Sequence, residues 1–70
     1  MRIFLPSIDH ETEVENAIRV LRRAKISVGS GALISQDRHH SYGAINLSAD
    51  TQAELALEVL RKAGIKASLA

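Results

Sequence analysis

Asp9 and His10 stand side by side ahead of three alternating acids, Glu11, Glu13 and Glu15. A carboxylate beside an imidazole can move a proton or grip a small ligand. The same aspartate also suits the cap of a helix, with His10 exposed behind it. His39 and His40, close to Asp37, offer metal-ligand chemistry. Adjacent residues point to different sides, so this pair reads as a polar turn rather than a metal site. Gly29-Ser30-Gly31 has the composition of a phosphate loop. Such a loop should open a helix, whereas this one runs on into Ala32-Leu33-Ile34, which is strand text. Arg19, Arg22, Arg23 and Lys25, with Arg61, Lys62 and Lys66, are expected to form a basic rim where two helices end, complementing their dipoles. The serines, Ser7 and Ser30 among them, have no His–Asp partners in the pattern, and no paired carboxylates sit in apolar text. The expectation is a protein that is not an enzyme and has neither cofactor nor metal.

Composition narrows the field further. Seventy residues make one domain, spanning 1–70, with a small core. A chain this size gains from a staple or a partner. It has no cysteine, which removes disulfides and thiolate metal sites. The net charge of +1 gives no electrostatic case for nucleic acid or for an anionic membrane. One Phe, one Tyr and no Trp leave little for base stacking. The apolar runs are far below the roughly 20 residues that span a bilayer. The opening Met1-Arg2-Ile3-Phe4-Leu5-Pro6 is too brief for a signal peptide, so a cytoplasmic location is expected.

The elements that must position these residues are organised by a repeat at an offset of 39. Val20-Leu21-Arg22-Arg23-Ala24-Lys25-Ile26 returns as Val59-Leu60-Arg61-Lys62-Ala63-Gly64-Ile65. Two copies suit two similar halves packed together better than a solenoid. The first helix is predicted from about His10 to Ala24, capped by Asp9. Val14, Ala17, Ile18, Leu21 and Ala24 form its stripe. The second is predicted from about Thr51 to Ala63, with Ala53, Ala56, Leu57, Leu60 and Ala63 as its stripe. Thr51 and Glu54 read as a capping box, and Gly64 stands where a left-handed residue closes a helix.

Four strands surround the helices. Ile3-Phe4-Leu5, stopped by Pro6, reads as a central strand shielded on both faces. Ile26 to Ile34 alternates, with Ile26, Val28, Ser30, Ala32 and Ile34 on one face and a bulge or bend expected at Gly29-Ser30-Gly31. Tyr42 to Ser48 alternates again, with Gly43, Ile45 and Leu47 together. Lys66 to Leu69 makes the last strand. The order βαββαβ predicts an α+β, ferredoxin-like fold: a four-stranded antiparallel sheet, order 4-1-3-2, with both helices on one face.

This pattern resembles ACT-type regulatory domains over nearly all of the chain. The similarity is strongest where a strand ends in Ser48-Ala49-Asp50, a helix follows through Ala53, Ala56 and Leu60, and Ala63-Gly64-Ile65-Lys66-Ala67 enters the last strand. In the first half Asp9, a helix and Ala24-Lys25-Ile26-Ser27-Val28 keep the same rhythm, with Lys25 where the family commonly has Gly. The first strand–helix turn departs more widely. The family pattern resembles Asp-x-Pro-Gly-x-Leu, and here the residues are Asp9-His10-Glu11-Thr12-Glu13-Val14. The missing Gly and the extra acids weaken the case for an anionic ligand at that turn.

The resemblance implies a stand-alone, non-catalytic module that works as a homodimer or higher homo-oligomer. It would bind an amino acid or similar small metabolite. The ligand residues it implies are Ser7, Asp9 and His10 in the turn, with Val28 and Ser30 from the facing strand of a partner copy. The alternative is a ferredoxin-like module for nucleic acid or for protein interaction, without a small ligand. Near-neutral charge and scarce aromatics weigh against nucleic acid. An acylphosphatase-type enzyme shares the topology but needs a phosphate-cradling first turn with Arg and Asn, and Pro6-Ser7-Ile8-Asp9-His10 offers neither.

Overall fold

The computed structural model describes residues 2–6, 8, 10–35 and 41–69. The elements run β1 (Arg2–Pro6), α1 (Glu11–Arg23), β2 (Val28–Ser35), β3 (Ser41–Leu47), a 3-10 turn (Asp50–Gln52), α2 (Ala53–Lys62) and β4 (Ser68–Leu69). One four-stranded sheet has the order β2-β3-β1-β4, with every neighbouring pair antiparallel. This is the predicted order seen from the other edge. Asp37, His39 and His40 lie outside the described residues, as do Ser7 and Asp9.

The core lies between the sheet and the two helices. Ile3, Leu5, Ile45 and Leu47 supply the sheet side; Val14, Ala17 and Leu21 from α1 and Ala53, Ala56 and Leu60 from α2 close it. Period two on the strands and period 3.6 on the helices dictate these sets. Gly43, Ile45 and Leu47 share the buried face of β3, as their alternation predicts. Ala24 and Ala63, the last residues of the predicted stripes, are exposed because each helix has ended by then. Fully burying a Leu side chain contributes about 1.5–3 kcal/mol, so Leu21 and Leu60, each 0% exposed, carry a large share of a small core.

The repeat reappears in the hydrogen bonds that end the helices. Ile26 N–H donates to Leu21 O at 3.0 Å, and Ile65 N–H to Leu60 O at 2.9 Å. Lys25 N–H donates to Arg22 O at 3.0 Å, and Gly64 N–H to Arg61 O at 3.0 Å. Both are Schellman closures, in which the residue after the C-cap turns left-handed. Gly64 does so with φ +80° and Lys25 with φ +62°.

Several sequence expectations are corrected. β2 starts at Val28, two residues after the predicted Ile26. The expected irregularity is a bulge between Val28 and Ser30: Val28 pairs with Leu47 but Ser30 with Asn46. The extra residue inverts the alternation that follows. Gly31 and Leu33 therefore pair with Ile45 and Gly43 on the core side, while Ser30, Ala32 and Ile34 face away. The N-cap of α1 is His10, not Asp9, because the chain is still extended there at φ −128°, ψ 139°. The Thr51–Glu54 capping box does not form at a helix start. Asp50–Gln52 winds as a 3-10 turn and Gln52 becomes the cap of α2. Its Oε1 is engaged elsewhere, accepting Ser27 N–H at 3.1 Å and tying the two halves together. β4 is shorter than expected, only Ser68–Leu69. β1 is central, but it is shielded on the helix side alone: Ile3 and Leu5 are buried and Phe4 is half-exposed on the open face.

Candidate functional site

At the end of β1 the chain must leave the sheet and enter α1. Ile8 tucks into the core at 6% exposure. The Ser41 hydroxyl donates to Ile8 O, which anchors the turn to the start of β3. His10 then starts the helix. Its backbone N–H donates to Glu13 Oε2 at 3.4 Å, and its carbonyl accepts Glu13 N–H at 3.1 Å. This fixes Glu13 on the first turn of α1.

β4 runs antiparallel to β1, so the turn that closes α2 reaches the same end of the sheet. A cleft of about 470 Å³ lies between the two turns. Leu5, Pro6, Ile8 and Ile65 give it apolar walls, and Thr12, Glu13, Asn16 and Lys66 bring polar groups of both charges. Gly64 completes the rim. Such a cleft suits a small molecule with a short apolar part and polar ends.

Of the expected ligand residues, His10 is at this end and exposed. Ser7 and Asp9 lie outside the described residues. Val28 and Ser30 lie elsewhere. Ser30 is level, through Asn46, with Arg2 at the start of β1. Four residues of strand separate that level from Pro6, about 13 Å at 3.3 Å each. Val28 also turns inward, packing half-buried against the core. One chain therefore does not join the turn to Val28 and Ser30.

Thr12, Glu13, Asn16 and Lys66 were missed as cleft residues. Thr12 and Asn16 are one helical turn apart beside the apolar stripe, a spacing the sequence does show. Lys66 is remote in sequence, and only the pairing of β4 with β1 brings it near. The expected single basic rim does not form. The helices run in opposite directions, so Arg22, Arg23 and Lys25 lie at one end while Arg61, Lys62 and Lys66 lie at the other, beside the α1 start. Among the described residues, no group of three or more His, Asp or Glu could hold a metal ion. No described helix is long and apolar enough to cross a membrane.

No family model matches the chain, and no curated protein matches it in sequence. A solved structure does match. The ACT domain of prephenate dehydrogenase tyrA from Bacillus anthracis superposes with a TM-score of 0.78, covering 97% of this chain and 100% of that one at 12% identity. The chain thus has the fold of an ACT domain, a ferredoxin-like α+β sandwich.

Proposed function

We propose that this chain is a cytoplasmic, non-catalytic regulatory module that binds an amino acid or similar small metabolite and works as a homo-oligomer. The cleft between the β1–α1 turn and the α2–β4 turn carries this reading. Its apolar walls fit a short side chain, while Lys66 and Glu13 supply opposite charges for a zwitterion. The ACT fold supports the regulatory role by analogy of architecture.

The sheet edge supports assembly. β2 is eight residues long and forms an outer strand, bonded among the described residues to β3 alone. It carries no Lys or Pro to blunt its free N–H and C=O groups. Pairing with a copy would satisfy them, and a second chain could bring Val28 and Ser30 toward the Ser7–His10 turn. The test is a thermal-shift screen of the whole chain against the twenty amino acids and common nucleotides, with light scattering in parallel. A true ligand at 100 times its Kd adds about 2.7 kcal/mol to the folded state. No shift from any amino acid would remove the ligand, and a 7.6 kDa particle at micromolar concentration would remove the assembly.

A further inference from the structure

The two halves close their helices alike but fill the space beside them differently. At one end Gln52, the cap of α2, reaches the turn after α1, where its Oε1 accepts Ser27 N–H at 3.1 Å. Ile26, next to Ser27, is 2% exposed. The 39-residue offset carries Gln52 to Glu13, Ser27 to Lys66 and Ile26 to Ile65. Glu13, Ile65 and Lys66 all line the cleft. Among the described residues no hydrogen bond joins Glu13 to Lys66, so the contact that closes one half has no counterpart in the other.

Two local causes keep that end open. Glu13 is the third residue of α1 rather than its cap, and its Oε2 turns back to accept His10 N–H at 3.4 Å. Pro6 has no N–H to extend the β1–β4 ladder, which stops at Phe4 and Ser68. Lys66 N–H is thereby left without a hydrogen-bond partner among the described residues. Ile65 is only half-buried, where Ile26 is covered.

We infer that the ligand of this cleft carries a primary carboxamide, which takes the place that the Gln52 side chain holds in the other half. Its carbonyl accepts Lys66 N–H and its NH2 donates to the Glu13 carboxylate. The inference rests on the reading of the cleft as a small-molecule site and names the chemical group that the site selects. A carboxylate could accept from Lys66 N–H but would stand against Glu13, with Glu11 in the same helical turn. An ammonium suits Glu13 but has no lone pair for Lys66 N–H. A hydroxyl must meet both groups with one atom, whereas a carboxamide presents acceptor and donor on two. The walls from Leu5, Ile8 and Ile65 take the methylenes that lead to the amide. Lys66 Nζ, on its flexible stem, remains for a carboxylate at the far end of the ligand. L-Glutamine and L-asparagine are the free amino acids of this class.

The test is calorimetric titration of the whole chain with L-glutamine, L-asparagine, L-glutamate, L-methionine and L-serine, with amide spectra of the labelled protein recorded alongside. A carboxamide ligand should bind at least about tenfold more tightly than the other three, which lose a hydrogen bond to a charged group. The Lys66 amide proton should move downfield on binding, while that of Ser27, already bonded to Gln52, should stay. Glu13→Ala should weaken carboxamide binding at least about tenfold. Should that variant lose its fold, the ligand series and the Lys66 amide of the parent still decide. Equal affinity for L-glutamate, L-methionine or L-serine, or a carboxamide that binds without moving Lys66, overturns the inference and leaves the cleft reading standing. Silence of both carboxamides overturns it too, and the screen of all twenty amino acids then decides whether the cleft reading falls with it.

Discussion

Lys25 and Gly64 occupy one position in two copies of the same helix ending. They are 39 residues apart, both follow a C-cap alanine, and both adopt a positive φ. Only Gly64 does so without steric cost, because a Cβ in the left-handed region crowds the following carbonyl. Lys25→Gly should therefore stabilise the protein by about 1 kcal/mol. In a domain of this size that raises Tm by about 4–8 °C. Gly64→Ala should lower stability by a similar amount, although the space around it is open. Calorimetry on the two variants gives the signs, and an unchanged Tm for both would show that φ carries no penalty here.

Leu21 and Leu60 are the matching core positions of the two halves, each fully buried. Truncating either to Ala should cost about 2–5 kcal/mol. Urea titration should show both variants partly or wholly unfolded before the parent begins its transition. A variant that melts with the parent would remove its leucine from the core.

Gly43 is buried where the sheet meets α1. A Cβ there would lie 2.7 Å from Ile8 Cδ1 and 3.0 Å from Val14 Cγ2. Ile8 holds the β1–α1 turn, so a side chain at Gly43 pushes on the candidate site from beneath. Gly43→Val should cost about 1–3 kcal/mol through overpacking. Chemical shifts of Thr12 and Glu13 amides should move more than those of α2. Movement confined to β3 would show that the turn does not feel the packing.

Lys66 lines the cleft and is otherwise exposed. Lys66→Ala should change stability by less than about 0.5 kcal/mol, yet reduce the thermal shift given by any ligand found in the screen. Calorimetric titration of parent and variant checks this. Equal affinity would place the ligand elsewhere.

The helix faces were legible from local periodicity, the strand order from the βαββαβ succession of elements, and the bulge from Gly29-Ser30-Gly31. Leu21 and Leu60 could be matched by the repeat alone. The direction of β2 after Gly29 was not legible, since one extra residue changes every later side without changing composition. The start of α2 was misread for a related reason. Thr51 and Glu54 have the capping spacing, but Gln52 is drawn to Ser27 across the fold and the first turn tightens. The cleft depends on which ends of β1 and β4 coincide, and no window of sequence contains that. The stacking of the Phe4 and Tyr42 rings likewise needs the register of β1 on β3.

The bulge at Gly29 gives the outer hairpin a phase. Upstream of it the chain follows one parity, downstream the other, and Gly29 is the residue in excess. Deleting Gly29 alone would set Val28 next to Ser30 opposite Leu47 and Asn46, a regular ladder that keeps Gly31 and Leu33 on the core side. Deleting Ala32 instead, with the bulge in place, would carry Leu33 to the open face. The segment is therefore tolerant of a lost residue at one point and intolerant just beyond it.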